Sequence, residues 1–123
     1  MEGGERMHVL LIIHDGPYGS EKAYNALRLA MALQREHEGI GVRIFLLADA
    51  VTCAVKSQTT PQGYYNIERM LEFVVGRGGE VKACGSCAEA RGLAKLALID
   101  GVEISTMSQL TQWVVDSDKA LTF

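Results

Sequence analysis

The first constraint on this 123-residue chain is what it lacks. It has no surplus of basic residues: 12 Lys and Arg face 15 Asp and Glu, for a formal net charge of -3. A phosphate-backbone binder needs a positive face, so no nucleic-acid binding is expected. There is no long apolar run either. The longest, Val9 to Ile13, falls far short of the roughly 20 residues that span a bilayer, and no membrane association is expected. The start, MEGGERMHVLL, lacks the cationic head and apolar stretch of a secretory signal. The expected compartment is therefore the cytoplasm. Thiols stay reduced there, and the three cysteines are expected to be free, catalytic or metal-binding rather than structurally paired. Internal repeats and low-complexity segments are missing too. With 48% hydrophobic residues at this length, one domain with its own core is expected over residues 7–123, behind a short flexible tail at 1–6.

What is present alternates between two patterns. His8 to Gly16 (HVLLIIHDG) opens as a continuous apolar run, which suits a strand buried on both faces of a parallel sheet. After it, Ala23, Ala26, Leu27, Ala30, Met31 and Leu33 recur at helical spacing. Ser20 is the expected N-cap and Gly39 the expected stop. Gly41 to Ala50 reads as a second strand reaching Asp49, and a short helical turn and a loop broken at Pro61 and Gly63 follow it. A helix capped by Asn66 leads to the strand EVKAC, which ends at Cys84. Residues 88–101 are helix-prone but interrupted at Gly92; a short strand, a helix around Trp113 and a last strand, KALTF, close the chain. Alternation of this kind implies an α/β domain with a mainly parallel sheet and right-handed crossovers.

Parallel sheets collect their chemistry at the carboxyl ends of the strands. Three such ends carry reactive or polar groups: His14 with Asp15, then Asp49, then Cys84. Cys84 is also followed by GSCAEARG, which can begin a helix, and a helix start lowers a thiol's pKa. Gly85 would admit close backbone approach, and the amides from Gly85 through Ser86 to Cys87 could meet an anionic sulfur. The residues leave Cys84 open between two readings, an activated thiol and a small packing residue. Cys87, three residues on, adds a reversible disulfide to the options, although the surroundings are not those of a thioredoxin motif. Cys53 reads as core. His14 could orient the cysteine or make a local hydrogen bond, and Asp15 and Asp49 could equally be turn or cap residues. Tyr64 and Tyr65 read as packing residues. No metal is expected, because one CxxC with Cys53 and scattered histidines supplies no second ligand pair. DGPYGS lacks the lysine of a phosphate loop and the spaced glycines of a dinucleotide site, so no cofactor is expected.

Taken in order, HVLLIIHDGPYGSEKAYNALRLAMAL, VRIFLLADAVTCA, VKACGSCAEARGL and GVEISTMSQLTQWVVDSDKALTF resemble the DsrE-like family of small sulfur-metabolism proteins over nearly the whole chain. The resemblance implies a flavodoxin-like three-layer α/β/α sandwich around a mostly parallel five-stranded sheet. It also implies assembly as a homo-oligomer, trimer or hexamer, with sulfur donor and acceptor proteins bearing reactive cysteines as partners. In sulfur-transfer members a cysteine at the end of the third strand carries sulfur as a persulfide, a role that falls on Cys84 here. The resemblance thus implies a sulfur carrier, sulfurtransferase-like rather than a turnover enzyme. The alternatives are a dithiol redox protein using Cys84 and Cys87, and a non-catalytic oligomeric binding module.

Overall fold

A computed structural model describes residues 6–60 and 62–123. Most of the proposed tail, residues 1–5, and the breaker Pro61 lie outside that range. Five strands make one sheet: β1 (Met7–Ile13), β2 (Ile40–Leu46), β3 (Glu80–Cys84), β4 (Val102–Ser105) and β5 (Lys119–Thr122), in spatial order β4-β3-β2-β1-β5. Every pairing is parallel. The α/β sandwich expected from the alternating pattern is therefore what forms.

The central strands are apolar for a physical reason. From Val9 to Ile13 every residue of β1 is buried, as are Ile44, Phe45 and Leu46 of β2, because helices cover both faces. Helices α1 (Lys22–Glu36) and α2 (Ile67–Gly76) pack against each other on one face. Helix α4 (Met107–Asp116) crosses back over the other and rests on β1. There Trp113 meets Phe45 edge to face, with ring centroids 6.1 Å apart. Arg43 and Lys82 reach over the same indole at 5.7 and 5.4 Å. The edge strands differ from the centre: all four residues of β5 are exposed and β4 is only partly covered.

Local signals place the element ends with some shifts. Asn66 caps α2 by accepting the Arg69 N–H at 3.1 Å, as expected. Ser20 sits one residue too early to be the N-cap of α1, which is Glu21. Its hydroxyl accepts the Lys22 N–H at 3.2 Å and donates to the Asp15 carboxylate at 2.7 Å. Helix α1 stops at Glu36, and Gly39, at φ +87°, makes the turn beyond it. The second strand ends at Leu46 rather than at Asp49, and a 3₁₀ helix, Ala48–Ala54, takes over. The helix-prone stretch 88–101 is mostly not helical. Helix α3 spans only Gly85–Ala90, and the loop after it is tied to the end of the 3₁₀ segment by the Lys56 N–H to Ala97 and Ile99 N–H to Ala54 hydrogen bonds. Tyr65 does pack, stacking on Tyr24 with centroids 4.0 Å apart, whereas Tyr64 is exposed.

Candidate functional site

Strand β3 ends on Cys84, and the chain turns directly into α3, so Cys84 is the N-cap of that helix. Its sulfur occupies the position a serine or aspartate oxygen normally holds and accepts the Cys87 N–H at 3.3 Å. The Ser86 hydroxyl lies 3.4 Å from the same sulfur. Gly85 permits this sharp exit, since a Cβ there would come within 3.1 Å of the Ser105 carbonyl oxygen on neighbouring β4. Burial leaves Cys84 5% exposed and works against its thiolate. Hydrogen bonds from the Cys87 thiol, the Ser86 hydroxyl and the two backbone amides outweigh that cost, so the pKa of Cys84 is lowered.

Cys87 has the complementary role. It is half-buried, and its sulfur accepts the Ala48 N–H at 3.3 Å. Burial and the neighbouring Cys84 sulfur push its pKa up, against the Ala48 amide and the Arg91 charge. The two thiols are thus driven apart, Cys84 becoming the more acidic and Cys87 the less acidic of the pair. Ala48 donates from an unusual backbone: its φ is +51°, a left-handed conformation that costs an alanine roughly 1–2 kcal/mol. Such strain tends to gather at functional sites. Arg91 closes the arrangement, its guanidinium 2.9 Å from the Asp49 carboxylate and 3.1 Å from the Cys87 carbonyl oxygen.

The expected site residues separate into two groups. Cys84, Gly85, Ser86 and Cys87 are together, and Asp49 joins them through Arg91, from within the 3₁₀ helix rather than from a strand end. His14 and Asp15 do not join them. Strand β2 lies between β1 and β3, so His14 is two strand spacings, about 10 Å, across the sheet. Its Nδ1 is 3.2 Å from the Phe123 carbonyl oxygen, tying it to the end of β5. Asp15 shapes the turn before α1 through Ser20. Cys53 is a core residue, 2% exposed, its thiol pushed up to about 12 chiefly by burial. Ala48 and Arg91 were not singled out from the sequence. An alanine at positive φ has no sequence signature, while Arg91 stands in the arginine-glycine pair seven residues beyond Cys84.

Among the described residues, no three His, Cys, Asp or Glu side chains cluster as metal ligands, and no helix is long and apolar enough to cross a membrane. A surface depression of about 550 Å³ runs between α1 and α2, lined by Tyr24, Arg28, Arg35 and Met70 among others, and contains neither cysteine of the pair. The cysteine pair lies at the end of the sheet, outside that groove.

A parallel five-stranded sheet covered by helices, with a cysteine capping the helix that follows its third strand, defines a small α/β domain. The profile of the DsrE/DsrF-like family matches residues 7–123, and the chain belongs to that family. It is 44% identical to the protein YchN of Escherichia coli K12 over 115 residues, 94% of this chain and 97% of the relative. An uncharacterized protein of Methanopyrus kandleri is 43% identical over 94% of this chain and 93% of its own. Among solved structures, that of the E. coli YchN protein superposes with a TM-score of 0.88 at 45% identity, covering 95% of this chain and all of the other. A protein of unknown function from Methanobacterium thermoautotrophicum shares the fold at TM-score 0.78 and 13% identity, over 95% of this chain and 99% of its own.

Proposed function

We propose that this protein is a sulfur carrier in which Cys84 holds sulfane sulfur as a persulfide. The Cys84 thiolate attacks the outer sulfur of an incoming persulfide R–S–SH, giving Cys84–S–SH and releasing the donor as R–S⁻. The same transfer, repeated with a partner's cysteine as attacker, delivers the sulfur. One observation carries this reading: the Cys84 sulfur sits at the end of β3 and accepts hydrogen bonds that stabilise its thiolate despite burial. Membership of a family related to sulfur metabolism supports it.

The reading requires a reducing compartment, the cytoplasm, and partner proteins with reactive cysteines. It also includes self-association as a trimer or hexamer. The exposed apolar side chains Ile104, Met107, Val114 and Val115, on β4 and α4, support a subunit contact. Mass spectrometry after incubation with a persulfide donor tests the central step. Wild type and Cys87→Ser should gain one sulfur atom and Cys84→Ser should not. An adduct absent from both wild type and Cys87→Ser, or its survival in Cys84→Ser, refutes the proposal. Light scattering on the purified protein tests the assembly, and a monomer would refute it.

A second reading, a dithiol redox protein, is favoured by the closeness of the two cysteines, the Cys87 N–H reaching the Cys84 sulfur at 3.3 Å. It predicts equal loss of activity on replacing either cysteine.

A further inference from the structure

Resting on the sulfur-carrier reading, we infer that this site has a second outlet: Cys87 discharges the Cys84 persulfide internally, releasing hydrogen sulfide and leaving a Cys84–Cys87 disulfide. The geometry provides for each part of that step. Cys84 and Cys87 occupy the N-cap and third positions of one helical turn, and the Cys87 N–H already reaches the Cys84 sulfur at 3.3 Å. Side chains three apart on a turn have Cβ atoms about 5–6 Å apart, and a disulfide needs about 3.5–4.5 Å. A small tightening of the first turn of α3 closes the gap. The Cys87 sulfur is itself positioned by a backbone donor, the Ala48 amide at 3.3 Å.

The step balances. The Cys87 sulfur attacks the inner sulfur of Cys84–S–SH, which is the Cys84 sulfur itself. A Cys84–Cys87 bond forms, the bond to the outer sulfur breaks, and its electron pair leaves with the outer sulfur as hydrosulfide. The proton lost by Cys87 completes hydrogen sulfide. Overall, Cys84–S–SH and Cys87–SH become Cys84–S–S–Cys87 and H₂S. The Cys87 sulfur is oxidised from thiol to disulfide level and the outer sulfur is reduced to sulfide. A small external thiol or dithiol supplies the two electrons that restore the pair by ordinary exchange.

Loading itself prepares the attacker. While Cys84 is a thiolate, its charge and its demand for a hydrogen bond keep the proton on Cys87. Once Cys84 carries the outer sulfur it is no longer a thiolate, and as the inner sulfur of Cys84–S–SH it is a weaker acceptor. The influences that favour the Cys87 thiolate, the Ala48 amide and the Arg91 charge, remain in place. An empty site therefore disfavours the Cys87 thiolate, and loading removes part of that opposition. A partner thiol and Cys87 then compete for one sulfur, so delivery occurs when a partner is docked and sulfide escapes when none is.

The test uses the full chain, loaded anaerobically with inorganic polysulfide and then freed of excess. Sulfide release is followed with time, and intact mass is read at each point. Wild type should lose its added sulfur, release one sulfide per adduct lost and finish two hydrogens lighter than the reduced protein. Cys87→Ser and Cys87→Ala, compared per adduct actually loaded because Cys87 also favours the Cys84 thiolate, should keep the adduct, with the sulfide burst gone. Equal decay in wild type and both variants, or decay in wild type without a disulfide, overturns the inference and leaves the carrier reading intact. Failure of wild type and both variants to load overturns both. The disulfide-to-sulfide ratio in wild type decides the question even if the variants fold poorly.

Discussion

Replacing Ser86 by alanine isolates one contribution to the reactivity of Cys84. Burial opposes the thiolate, and four hydrogen bonds outweigh it, from the Cys87 thiol, the Ser86 hydroxyl and the backbone amides of Cys87 and Ser86. The substitution removes one of the four and leaves the helix turn, since alanine is a good helix former. A hydrogen bond to a charged acceptor contributes about 1.5–3 kcal/mol. The Ser86 contact is long, at 3.4 Å, and belongs at or below the bottom of that range. A loss of about 1.4 kcal/mol corresponds to one pKa unit, so the Cys84 titration midpoint should rise by about one. The assay is the pH dependence of alkylation, with Cys84 followed by peptide mass spectrometry in a Cys53→Ala background. Ser86→Thr, which keeps the hydroxyl, should keep the midpoint. If Ser86→Ala leaves it unmoved, the hydroxyl does not donate to the sulfur and the remaining donors hold the charge.

Cys53 should lower the stability of the fold at alkaline pH. Its thiol is pushed from an ordinary 9.0 to about 12, mainly by burial, so above the lower value the unfolded chain releases a proton that the fold retains. Stability should therefore fall with rising pH at up to about 1.4 kcal/mol per unit, and denaturant midpoints of Cys53→Ala should fall less steeply over the same window. Cys84 has the opposite sign, because a lowered pKa adds stability that is lost as pH falls through the folded value. Arg91→Ala removes a largely solvent-exposed pair with Asp49 and should cost no more than about 1 kcal/mol in a thermal melt. The same change should slow alkylation of Cys87, whose thiolate loses a favourable charge. Trp113→Ala empties a site that is 4% exposed and should cost about 3–5 kcal/mol, read as a denaturant midpoint. A shift below about 1 kcal/mol would mean that α4 contributes little to the core.

The residue pattern by itself determined the layered α/β architecture. Val9 to Ile13 fitted a strand covered on both faces, and the helical spacing of Ala23, Ala26, Leu27 and Ala30 marked the face that covers it. The end of β3 at Cys84 and the helix start after it were equally legible, because a strand run and a helix start meet there without a linker. Periodicity reports burial along an element and says nothing about which strands are neighbours. Strand order decided that His14 belongs to the β5 side and not to Cys84, although both follow a strand. Residue type likewise does not announce a cross-chain hydrogen bond. That Asp49 reaches the cysteines through Arg91, across 42 residues of chain, is a fact of packing. The Ala48 amide bonded to Cys87 is the sharpest case, because alanine has no local reason to adopt φ +51°. Only the surrounding fold holds that conformation, and with it the partner of the second sulfur.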